Sequence, residues 1–198
     1  MTESPRPAEP ARLTDVTRLR AMAHPLRMGI IGSLRVDGPA TSAILARRLG
    51  TDSGQTSHHL RLLARSGFVV EAPELGKGSR GRERWWKAAH ESTAWPDDLD
   101  QSGPGGAEAM DAFEEAAQGV WRRIVATYRQ QVARQEWSAE WRAAAGAGDS
   151  VIRTTAAGLA ALQQELRTVI EAHDLGGEAD DAETVVVILQ AYPHRAEQ

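Results

Sequence analysis

AHPLR at residues 23–27, ILARRLGTDSGQTSHHLRLLARSGFVV at 44–70 and RGRERWWK at 80–87 are pieces of one run whose reading decides the fold. Ile44, Leu45 and Leu49 before Gly50, and Leu60, Leu63 and Ala64 after it, step at helical spacing, so two short amphipathic helices meet at a glycine turn. Gly67 then frees the chain. Phe68-Val69-Val70-Glu71-Ala72 reads as a strand, and 84–88 returns as a second strand. The tip between them, 75–82, carries Gly76, Gly78 and Gly81 among basic residues. Two helices about a tight turn, then a hairpin with a basic tip, is the order that sets one helix in the DNA major groove and a wing beside it.

Upstream, Leu13, Val16, Leu19 and Met22 predict a helix over about 14–23. His24-Pro25 interrupts it, and Pro25 suits the first turn of a second helix with Leu26, Ile30, Ile31 and Leu34 inward. That helix ends at Asp37-Gly38-Pro39, and Thr41 or Ser42 caps a third with Arg47 and Arg48 exposed. The fourth is expected over about 54–66, with Thr56 and Ser57 one turn before Leu60 on the same side. Trp85 and Trp86 are neighbours on a strand, so only one of them belongs to the core.

Downstream, 91–106 is acidic and rich in Pro and Gly, a linker. Met110, Phe113, Ala117, Val120, Ile124 and Tyr128 form the apolar seam of a long helix over about 107–135. Trp137 and Trp141 sit on a further turn or two. Residues 151–153 read as a short strand, Thr154 or Thr155 caps a helix to about His173, and the β-branched run 185–191 reads as another strand, which Pro193 ends. Strand–helix–strand order predicts that 150–153 and 185–191 pair in parallel. The expected fold class is mainly α with small β (α+β). Its parts are a disordered tail at 1–12, a winged helix-turn-helix domain at 13–90, the linker at 91–106, and a helical dimerisation or effector domain at 107–198 with a short two-stranded sheet.

The chain has 198 residues and a formal net charge of −4, which looks wrong for a nucleic-acid binder until it is split by position. Residues 1–90 carry 15 Lys+Arg and 8 Asp+Glu, a net +7; residues 91–198 carry 8 and 19, a net −11. The basic half can attract phosphates while the acidic half stays away from the duplex. Cysteine is absent, which excludes disulfides and thiolate metal sites. No apolar stretch reaches the roughly 20 residues needed to span a bilayer. The first residues lack the apolar core of a signal peptide, so the expected location is the cytoplasm, with no membrane partner.

Residues 21–90, about a third of the chain, resemble the winged helix-turn-helix of the ArsR-like bacterial repressors, in the branch without metal thiolates. The residues that carry the resemblance are AHPLR, LARRLG, TSHHLRLLARSGFV and RGRERWW, in this order. The resemblance implies that helix 54–66 enters the major groove. Gln55 and Thr56 are then candidates for base edges, since a Gln amide pairs bidentately with adenine. Thr56 is weighed against a core position. Ser53, Ser57, His59 and Arg61 suit phosphates, which fix register. His58 suits either role, and His59 is weighed against a packing role. Lys77, Arg80, Arg82 and Arg84 are expected at the adjacent minor groove or its phosphates.

Glu171, His173 and Asp174 lie too close along one helix to converge on an ion, so no metal and no cofactor are expected. No phosphate-binding glycine loop, nucleophile elbow or HExxH is present, which argues against an enzyme. The reading that results is a dimeric repressor on a pseudo-palindromic operator, with double-stranded DNA and a second copy as partners. Helices 14–23 and 107–135 are the candidate dimer surfaces. Trp95, Trp121, Trp137 and Trp141 are candidates to line a pocket for a small-molecule effector. The alternatives are a winged-helix protein-interaction module and a small-molecule-binding protein or enzyme housed in 107–198, in which the winged helix is accessory.

Overall fold

The computed structural model describes residues 11–13, 16–76, 83–94, 105–174 and 181–195. Three helices of the N-terminal half start where a side chain accepts an orphan N–H group of the first turn. The short α1 (Val16–Met22) is followed by α2 (Pro25–Val36), where Pro25 occupies the first turn and His24 Nδ1 accepts from the Leu26 N–H at 3.1 Å. Thr41 caps α3 (Ser42–Leu49), accepting from Ile44 N at 3.4 Å. Asp52 caps α4 (Ser53–Arg65), accepting from Gln55 N at 2.8 Å. Gly50 ends α3 in the left-handed region at φ 65, where a side chain would be strained.

Three strands form an antiparallel sheet in the order β2 (Ala40–Thr41), β4 (Trp85–Ala88), β3 (Val69–Glu71). Glu71 pairs with Trp86, and Ala40 pairs with Trp86 from the other side. The expected hairpin is present, and β2 adds a third strand at the exit of the Asp37-Gly38-Pro39 turn. Of the two tryptophans, Trp86 enters the core and Trp85 is half-buried, as strand alternation requires. The core joins Leu13, Leu19, Met22, Ile30, Leu45, Leu60, Leu63 and Val69.

Two segments outside the expected winged domain also belong to this core. Ala11–Arg12 (β1) pairs in parallel with Thr93–Ala94 (β5), and Ala11 N donates to Ser92 O at 3.0 Å. Ala11 is therefore buried, where composition indicated a tail. Arg35 holds the same segment: its guanidinium donates to His90 O at 2.8 Å, Ser92 O at 3.0 Å and Thr93 Oγ1 at 2.9 Å. Burial pushes the Arg35 pKa down to about 10, partly offset by Glu91.

The long helix α5 (Gly106–Ala133) delivers Ala109 and Phe113 to the core, with Ala116 and Ala117 also buried. Met110, Val120, Ile124 and Tyr128 of the expected seam are half-buried. The chain divides into two compact units, residues 1–129 and 130–198, within α5 and downstream of the linker expected from composition.

In the second unit, Ser138 caps α6 (Ala139–Ala144), Trp137 and Trp141 meet edge-on at 5.9 Å, and Trp137 Nε1 donates to Gln131 Oε1 at 3.0 Å. Thr155 caps α7 (Ala156–Ala172), which buries none of its residues. The fold class is mainly α with small β, as expected, but the strand pair predicted for 150–153 and 185–191 is not formed. Both segments are irregular and Val151 is 96% exposed. β-propensity alone does not make a strand, and a two-stranded ribbon with no face to pack on is marginal in water. The two-stranded sheet of this chain is instead the β1–β5 pair.

Candidate nucleic-acid interface

Helix α4 is amphipathic because Leu60 and Leu63 bury one face and leave the opposite one to polar residues. That outer face presents Ser53, Gln55, His58 and Arg61, all exposed, with Ser57 half-buried beside them. The Gln55 N–H bond is the first cause that holds the Asp52 carboxyl below the ordinary carboxylate range, so the helix starts on a fixed negative group.

Thr56 faces the other way. It is 0% exposed, and its Oγ1 donates to Asp52 O at 2.8 Å, so it belongs to the core and cannot meet a base edge as read from the sequence. A hydroxyl that bonds back to its own helix is compatible with burial, and Thr is close enough to Val in shape to fill an apolar site. His59 is half-buried, and its ring lies 4.6 Å from that of His24, tilted by 37°. The packing role weighed for His59 is thus the one the geometry favours over a phosphate contact.

The wing strand brings a second cation close. Arg84 lies with Ser57 and Arg61 around a cleft of about 580 Å³, whose lining also includes Trp86 and the start of α3 at Thr41 and Ser42. Two guanidinium groups and three hydroxyls around an open cleft suit an anion such as a backbone phosphate. Glu83 also lines the cleft and limits the net positive charge. Arg84 Nη1 is 3.4 Å from Glu71 Oε1, an exposed pair of little strength that a phosphate can displace. Lys77, Arg80 and Arg82, together with Gly78 and Gly81, lie outside the described residues, as does Trp95.

Sequence reasoning misses four contributors. Thr41 and Ser42 read there only as caps, although the same cap position faces the cleft. His24 reads as an interruption between helices, and its ring partner His59 is far along the chain on another helix. Asp52 reads as part of a turn, although Asp just before a helical run is a known start signal. Among the described residues, no helix is long and apolar enough to cross a membrane.

Residues 22–72 match the family described as Helix-turn-helix domain. No curated protein matches the chain. Among solved structures, reduced HlyU from Vibrio cholerae is 27% identical over 37% of this chain and 70% of its own, with a TM-score of 0.31. A MarR family regulator from Neisseria meningitidis is 15% identical over 75% of this chain and 80% of its own, also at 0.31. A mutant MarR from E. coli is 17% identical over 78% of this chain and 88% of its own, again at 0.31. The family match ends at Ala72, and the antiparallel strands β3 and β4 follow or overlap that end. Residues 22–72 thus match a helix-turn-helix domain over their own length, and the β3–β4 hairpin gives the described fold its winged form.

Proposed function

We propose that the protein is a transcriptional regulator that binds double-stranded DNA, and that it acts as a dimeric repressor of the ArsR-like kind. The observation that carries this reading is the exposed face of α4, with Gln55 and Arg61 on it and Arg84 across the cleft, in a half of the chain with a net charge of +7. Gln55 reads an adenine edge through its amide. Ser53, Ser57, Arg61 and Arg84 hold phosphates, His58 serves either role, and Lys77, Arg80 and Arg82 extend the contact along the wing.

Two copies related by a two-fold axis read half-sites about one helical turn apart. The seam of α1 is used within the chain, where Val16, Leu19 and Met22 are buried, so α5 supplies the dimer surface. Occlusion of a promoter is relieved when the C-terminal residues change the spacing of the two copies.

The test is titration of labelled duplex from the region upstream of the protein's own gene, against random duplex, at two salt concentrations. Gln55→Ala should cost about 1–3 kcal/mol on the cognate duplex and little on random DNA. Arg61→Ala should weaken both and reduce the slope of log K against log salt by about 0.9. Equal, weak binding of every duplex by the wild-type protein would reduce the reading to an electrostatic footprint. Absence of binding would favour a protein-interaction role for the winged fold.

A further inference from the structure

His24 and His59 form a contact that the DNA-reading face does not use. The two rings lie at 4.6 Å, one at the start of α2 and the other on the inner flank of α4. His24 Nδ1 accepts from the Leu26 N–H, a bond that exists only while this nitrogen carries no proton. His59 Nδ1 is buried and has no hydrogen-bond partner among the described residues. The groups that face the pair are all basic: Arg27 from α2 and His58 from α4, whose ring meets that of His59 at 5.5 Å. Arg27 itself is held toward α1, donating to Arg20 O at 2.8 Å. Among the described residues, no carboxylate is one of the groups that shift either ring.

We infer that the His24–His59 pair is a proton-sensitive latch that seats the recognition helix α4 against the start of α2 only while both imidazoles are neutral. A proton on His24 Nδ1 ends the cap of α2. A proton on either ring places a cation beside Arg27, with no anion among the described residues to receive it. Both rings are held below the ordinary histidine range, His24 by burial and then by Arg27, His59 by burial and then by His24, Arg27 and His58.

Stability therefore depends on pH with a fixed sign. Above about pH 6.5 both rings are neutral, folded or unfolded, and the latch adds its full stability. As pH falls through about 6.5 the unfolded chain takes up protons that the folded chain resists, so stability is lost from there down to the folded values. The DNA consequence rests on the proposed role of α4. Acid would release the operator, opposite to the tighter phosphate binding that extra positive charge alone would give.

Thermal melting of the full chain between about pH 7.5 and pH 5.5 tests the latch without DNA. His24→Asn keeps a good cap and cannot be protonated, and His59→Gln keeps the helix. Each variant should lose less Tm across this range than the wild type, by on the order of 3 °C. Titration of the wild-type imidazole resonances by NMR provides the second measurement, with His24 and His59 expected to titrate below the ordinary range. Equal falls in Tm for wild type and both variants, or either ring titrating at or above about 6.5, would overturn the latch. In the duplex titration, His24→Asn should hold the operator at about pH 5.5 where the wild type releases it. Failure to bind any operator at neutral pH would remove the role of α4 in DNA reading and leave the melting result to judge the latch.

Discussion

Phe113→Ala tests whether α5 is part of the winged unit. Phe113 is the largest side chain that α5 buries; it is 0% exposed and shares a core with Leu13, Leu19, Met22 and Ile30. Losing its transfer free energy costs roughly 1.5–3 kcal/mol, and the cavity left among poorly compressible neighbours raises the total to about 3–5 kcal/mol. That is a large share of the roughly 5–15 kcal/mol that typical domains possess. Urea unfolding followed through tryptophan fluorescence should therefore show a much lower midpoint at an unchanged m-value. Val125→Ala on the same helix is the control, since Val125 is 43% exposed and its truncation should stay within about 0.5 kcal/mol. A Phe113→Ala cost below about 1 kcal/mol would show that α5 is not seated in the N-terminal core, and the division of the chain within α5 would fall with it.

Arg35→Met removes three hydrogen bonds from a mostly buried guanidinium while keeping the stem, and should cost about 2–4 kcal/mol in the same urea experiment. A loss under about 0.5 kcal/mol would mean that the 90–93 segment is held by other contacts. Thr56→Val removes one internal hydroxyl bond and should cost about 0.5–1.5 kcal/mol of stability with no change in duplex affinity. A tenfold loss of operator binding at unchanged Tm would return Thr56 to the reading face.

Much of the winged region was legible because its signals are local. Pro25, Thr41, Gly50 and Gly67 each punctuate the chain at one position, and the structure starts or stops an element beside each of them. The leucines of α4 declare its inner face in the same way. What escaped was set by distant partners. The strands β1, β2 and β5 are two residues long, too short for any periodicity, and each exists because a remote segment accepts its backbone bonds. Thr56 could not be told from a surface hydroxyl until its neighbours were known. Residues 185–191 have every property of a strand except a partner.

The pairing of Ala11–Arg12 with Thr93–Ala94 also decides how the winged unit is attached to the rest of the chain. Entry and exit lie side by side on one edge, so the fold between them is a closed loop, and Phe113 of α5 seats the following helix in the same core. A pull on the chain from the upstream side is met at this two-strand clasp, before it can reach α4 or the wing. Trimming the chain to begin at Leu13 would remove one side of the clasp and leave the backbone of Thr93–Ala94 as an open edge, available to another strand.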